Sequence, residues 1–156
     1  MKELLLALVV FVIGIIGYFY IINKVEKTKW KKRYREGRRV SRRLFEHNEN
    51  GKKLVEKIIR NNNRITVLTS GEFFLDFDSV YTCKIKSSFI TQYVINGRYT
   101  LSAFKIELFH DDVSILKCQV PESHKLYREL DKVLNKTYEQ NIENQKKIVK
   151  ELLEEL

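Results

Sequence analysis

The chain has 156 residues, 44% hydrophobic and 31% charged, with a formal charge of +9. That length supplies one compact core beside one further element, not two comfortable domains. Two cysteines 35 residues apart and no C-x-x-C exclude a cysteine-cluster zinc module.

The first element is LLLALVVFVIGIIGYFYII, Leu4 to Ile22, 19 residues without a charged side chain. Crossing the hydrocarbon core takes about 20 apolar residues, so the segment predicts a transmembrane helix, and Tyr18 and Tyr20 sit where an interfacial belt belongs. A cleaved signal peptide would carry a positive n-region, a shorter apolar core and small residues at a cleavage site. Met1-Lys2-Glu3 and GYFYIINKVEK supply none of these, so the segment is expected to remain as an anchor. Gly14 and Gly17 give it small residues but no G-x-x-x-G dimerisation pattern.

Residues 24–43 hold eleven basic and two acidic side chains, while from Leu44 onward 17 basic balance 17 acidic. The whole net charge therefore belongs to one short segment. Lys and Arg gather on the cytoplasmic side of a span, which predicts an outward N-terminus and residues 24–156 in the cytoplasm, at the cell membrane. Anionic lipid of the inner leaflet is then within reach, and Lys29, Lys31, Lys32, Arg33, Arg35, Arg38, Arg39, Arg42 and Arg43 are the expected lipid-contacting residues. A purely topogenic role is the competing reading, and nucleic-acid binding the third; a neutral remainder weighs against the latter. Trp30, Tyr34, Gly37, Ser41 and Leu44 or Phe45 form a thin uncharged stripe if the helix runs on. That stripe can face lipid, a second copy or the folded domain, while Gly37 invites a break.

The remainder predicts one α+β domain. In GKKLVEKIIRNNN, Leu54, Val55, Ile58 and Ile59 are spaced for a helix that the asparagines end. RITVLTSG reads as a short strand and turn. EFFLDFDS alternates, with Phe73, Leu75 and Phe77 on one side. VYTCKIK turns Tyr81, Cys83 and Ile85 inward, and FITQYVI leads to Asn96-Gly97, a hairpin signal. RYTLSAFKIELF puts Phe104, Ile106 and Leu108 together; His110-Asp111-Asp112 makes a turn; VSILKCQV is the last strand, closed by Pro121. Five or six antiparallel strands result. A long C-terminal helix follows, packed as far as about Tyr138 and extending beyond it, too irregular for three heptads. The boundaries are 1–23 for the anchor, 24–45 for the basic juxtamembrane helix, 46–138 for the domain and 139–156 for the extension.

Chemistry is sparse. Cys83 and Cys118 read as buried thiols, or as a cross-sheet disulfide were the domain external. His47, His110 and His124 are isolated in sequence. Asp76 and Asp78 share a strand face and His110-Asp111-Asp112 a turn, both more simply solvated than metal-binding. There is no glycine-rich phosphate loop and no G-x-S-x-G, so neither enzyme activity, cofactor nor metal is expected. The function expected is a single-pass membrane protein whose cytoplasmic domain docks or scaffolds a protein partner, as an assembly subunit or toxin-neutralising protein. Trp30, Tyr34, Ile148, Leu152 and Leu156 are the interface candidates, with homo-oligomerisation open. The alternatives are a lipid- or small-ligand-sensing domain or small enzyme, using an aromatic pocket of Phe73, Phe77, Tyr81, Phe89, Tyr93, Tyr99 and Phe104, and a membrane-tethered nucleic-acid binder. The abundance of Lys, Asn and Ile suggests an AT-rich, bacterial source.

Overall fold

A computed structural model describes residues 2–78, 80–94 and 97–155, with side chains from residue 9 to 154 within those ranges. The architecture is α+β: helix α1 (Lys2–Glu46), helix α2 (Glu49–Arg60), strands β1 (Ile65–Val67), β2 (Phe73–Asp76), β3 (Tyr81–Val94), β4 (Gly97–His110) and β5 (Val113–Pro121), and helix α3 (Lys125–Glu155). The strands form one antiparallel sheet in the order β1-β2-β3-β4-β5, a meander in which each strand pairs with its sequence neighbour. Among the described residues, α1 is the one helix long and apolar enough to cross a membrane.

Both long helices are continuous. α1 passes through residues 23–24 and Gly37, and α3 passes residue 138. α2 does begin and end where its sequence says. Asn48 accepts the Gly51 N–H at 2.8 Å as its cap, satisfying a donor that the first helical turn leaves free. At the other end, Asn61 caps the helix and a 3-10 turn follows at Asn62–Arg64.

Tyr81–Lys86 of VYTCKIK and Phe89–Val94 of FITQYVI, distinct runs in sequence, lie in one strand of fourteen residues. Ser87 and Ser88 stay in register opposite Phe104 and Ala103, so the ladder carries the polar pair through. These serines sit where the buried face of the ribbon changes. On the near side, Cys83, Ile85, Phe104 and Ile106 share a face with Leu75 and Val120 and join Leu54, Val55, Ile58, Leu126, Leu130 and Leu134 in the main core. Beyond the serines the opposite face is the covered one, with Leu101 and Ala103 buried. The sheet is therefore lined by α2 and α3 on one face and crossed by α1 on the other. Strict alternation along the whole strand fails at that point.

Tyr81, expected inward with Cys83 and Ile85, is 38% exposed at the end of the sheet, its ring 4.7 Å from that of His110. Asp111 and Asp112 both take positive φ, 44° and 63°, between the paired residues His110 and Val113. That makes the β4–β5 connection a type I′ turn. Val94 pairs with Gly97. Asn96 lies outside the described residues, and Gly97 opens β4 at φ 125°.

Candidate functional site

The basic part of α1 is laid along the distal half of the β3–β4 ribbon by its uncharged stripe. Trp30 stacks on Tyr34 with centroids 5.4 Å apart, and both meet the Tyr99 ring edge-on, at 6.3 and 5.0 Å. Gly37 faces the same ring; a Cβ there would lie 3.1 Å from Tyr99 Cδ1. The absence of a side chain is what lets helix and ribbon approach. One and two turns on, Ser41 and Phe45 are buried while Leu44 is exposed, so the stripe ends on Phe45. Among the three surfaces open to it, the stripe meets the folded domain. Burial raises the Tyr99 phenol above its ordinary pKa, with the Tyr34 hydroxyl adding to the rise.

Most of the cations point away from this seam. Lys29, Lys31, Lys32, Arg35, Arg39, Arg42 and Arg43 are exposed, and Arg33 and Arg38 half-buried. Arg38 lies 5.2 Å over the Tyr34 ring and donates to its hydroxyl at 3.1 Å. Arg33 borders Gly97. Because α1 is unbroken, the rise per residue fixes their spacing. Lys29, Lys31, Lys32, Arg33 and Arg35 lie about 9–18 Å beyond Asn23, but Arg38, Arg39, Arg42 and Arg43 lie about 22–30 Å beyond it. The charged collar thus runs along about 21 Å of helix, from Lys29 to Arg43.

At the end of α1 the fold makes a contact that sequence reading missed. His124, 3% exposed, accepts the Leu126 N–H on Nδ1 at 3.2 Å and donates from Nε2 to Glu46 Oε2 at 2.6 Å. The imidazole thus joins the start of α3 to the end of α1, with Phe45 packed edge-on at 4.8 Å. The hydrogen bond from His124 holds the Glu46 carboxyl below the usual carboxylate range, outweighing slight desolvation, with Lys52 and Arg42 adding to the lowering. The two residues are 78 apart in sequence, and no local pattern links them. Beside the pair opens a cleft of about 490 Å³ lined by Arg38, Arg39, Arg42, Arg43, Glu46 and Ser123. An adjoining one of about 340 Å³ adds Lys125 and Arg128.

α3 is half core, half free. Leu126, Leu130 and Leu134 are buried, Tyr138 is exposed, and Ile148, Val149, Leu152 and Leu153 are 54–68% exposed. Leu156 lies outside the described residues.

The aromatic residues that could line a pocket disperse instead. Phe73, Phe77 and Phe104 belong to the main core, Tyr99 meets α1, and Phe89 and Tyr93 are 71% and 81% exposed. Cys83 and Cys118 are buried free thiols, pushed up by burial to about 12 and about 11, with Cys118 adding to the Cys83 shift. They flank β4, opposite Leu108 and Ile106. Two strand spacings of about 4.8 Å put their Cα atoms about 10 Å apart, beyond the roughly 7 Å limit of a disulfide. The cross-sheet disulfide is therefore corrected on geometry, whichever side of a membrane the domain occupies. Asp78, rather than pairing with Asp76, accepts the Tyr81 and Val80 N–H groups at 2.8 and 3.1 Å, which lowers its pKa. Among the described residues no group of three His, Cys, Asp or Glu side chains is placed to hold a metal.

Comparison with protein-family models, with curated proteins and with solved structures finds no match to this chain.

Proposed function

We propose that this chain is a single-pass membrane protein whose domain, on the cytoplasmic side, docks a protein partner through the free half of α3. The observation that carries this reading is residues 139–155, which continue a core helix past its last buried leucine and expose Ile148, Val149, Leu152 and Leu153. Such a contiguous exposed apolar surface on a soluble element marks an interaction site, and an amphipathic helix is a common docking ligand for a groove.

The membrane part rests on the uncharged 19-residue run in α1 and the orientation on the basic residues that follow it. With the span ending near Asn23, the nearer cations, Lys29, Lys31, Lys32, Arg33 and Arg35, supply the anionic-lipid contact. The four later arginines lie more than two Debye lengths of about 8–10 Å away. Because α1 is joined to the sheet by Trp30, Tyr34 and Gly37, the anchor sets the domain's orientation at the membrane instead of tethering it loosely.

The test is capture from detergent extracts of the native host with full-length protein, compared with Ile148→Asp/Leu152→Asp. The proposal expects a partner retained by the first and lost by the second, with unchanged domain stability. A partner set indifferent to the double substitution refutes docking through α3.

A further inference from the structure

We infer that the cleft between the end of α1 and the start of α3 binds a small soluble ligand carrying two or more phosphate groups. Four of its cations, Arg38, Arg39, Arg42 and Arg43, come from α1; Lys125 and Arg128 come from α3. The chain beyond Leu44 is neutral overall, yet the fold carries two of its cations to the four arginines. Topogenesis does not explain that convergence: Lys125 and Arg128 are about a hundred residues from the span, and charge acts on orientation only within roughly 15–20 residues of its end.

The cleft holds one carboxylate against six cations: Glu46 accepts from His124 at 2.6 Å and has Arg42 beside it. Among the described residues none of the six cations forms an ion pair within 4.0 Å. Like charges three and four residues apart on one helix are destabilising, so an anion in the cleft relieves repulsion among the four arginines. Ser123 lines both spaces, and its Oγ has no hydrogen-bond partner among the described residues; a rotation about its Cα–Cβ bond would bring the hydroxyl to a ligand oxygen. The walls are fixed in advance, because His124 joins the two helices on a buried ring. Arginine is suited to phosphate by its fixed, bidentate donors, and the two adjoining spaces, about 490 and 340 Å³, are of ligand size.

Two other sources of phosphate fit less well. Arg38 to Arg43 lie about 22–30 Å along α1 from Asn23, out of reach of headgroups of the membrane that α1 is proposed to span. Single-stranded nucleic acid is held by stacking on aromatic rings, and no Phe, Tyr or Trp lines the cleft. The inference is independent of docking by α3, whose exposed aliphatic residues begin at Ile148, about 30 Å along that helix from Arg128.

The experiment titrates full-length protein, in discs of zwitterionic bilayer, with inorganic triphosphate followed by calorimetry at fixed ionic strength. The expected result is saturable one-to-one binding that weakens with salt. Arg42→Gln/Arg128→Gln should lower affinity at least tenfold, and Lys125→Gln, exposed and outside the core, severalfold. Ser123→Ala should lower affinity severalfold without moving the thermal midpoint. Lys29→Gln/Lys31→Gln, on the same helix nearer the proposed membrane, should leave it unchanged, as should Ile148→Asp. Adding anionic lipid to the discs should not displace triphosphate. Absence of saturable binding overturns the inference, and so does equal weakening by the Lys29/Lys31 pair, which would mean diffuse attraction. Displacement by anionic lipid would assign the cleft to headgroups, and tighter binding of a short duplex through Arg42 and Arg128 would assign it to nucleic acid; either result refutes a small-molecule site.

Discussion

Tyr99 is the residue through which α1 is joined to the sheet, and Gly37 is the position that admits it. Tyr99→Ala removes a ring in edge contact with Trp30 and Tyr34. Such pairs are worth about 0.5–1.5 kcal/mol each, and truncating a half-buried aromatic falls toward the lower end of the large-to-small range, for a total of about 2–4 kcal/mol. Gly37→Ala alone exchanges two effects. Alanine favours the helix by about 1 kcal/mol, but its Cβ would approach Tyr99 Cδ1 and Cβ at 3.1 and 3.3 Å. The ring, backed by Tyr34 and Trp30, has to give by a few tenths of an ångström, so the single change should come out within about 0.5 kcal/mol of zero. With Tyr99 already alanine the Cδ1 contact disappears and only the Cβ contact at 3.3 Å stays, so most of the helix gain of about 1 kcal/mol should emerge. Trp30, the only tryptophan, sits at this seam, so its emission during urea unfolding in micelles reports both the contact and the stability. If Gly37→Ala stabilises the parent protein as much as it stabilises Tyr99→Ala, or if Tyr99→Ala leaves Trp30 emission unmoved, helix and ribbon are not packed in this way.

Glu46, with a folded pKa depressed by His124, contributes stability that is fully present above the unfolded carboxylate value near about pH 4.3 and is lost as pH falls through the depressed value. Thermal midpoints across the acid range should therefore separate parent from Glu46→Gln at neutral pH and converge in acid; a gap that widens in acid contradicts the sign. The thiols behave in the opposite sense. Raised to about 12 and about 11, Cys83 and Cys118 favour the folded state below their unfolded pKa of about 8.5, and that support fades as pH rises toward the folded values. At pH 8 a thiol reagent should modify both at the rate of unfolding, and rapid stoichiometric labelling of the native protein would refute their burial. For orientation, a protease added to sealed right-side-out vesicles should leave residues 24–156 intact, and digestion of the domain would reverse the proposed topology.

Several features were legible because they depend only on residues close in sequence. An uncharged run of 19 residues defines a candidate span, since transfer cost follows local composition. Helical spacing in α2 and alternation around Leu75 and Ile106 marked the main core, because periodicity names the apolar face of an element. It does not name what covers that face. The uncharged stripe from Trp30 to Phe45 was visible, but only the register of β4, which sets Tyr99 against Gly37, decided that the sheet covers it. Periodicity failed at Ser87 and Ser88 because helices lie on both faces of the ribbon, so the buried side changes along one strand. The His124–Glu46 bond, and the meeting of Arg42 with Arg128 that it enforces, join residues 78 and 86 positions apart. Such pairings arise from the packing of distant elements, and tertiary structure alone decided them.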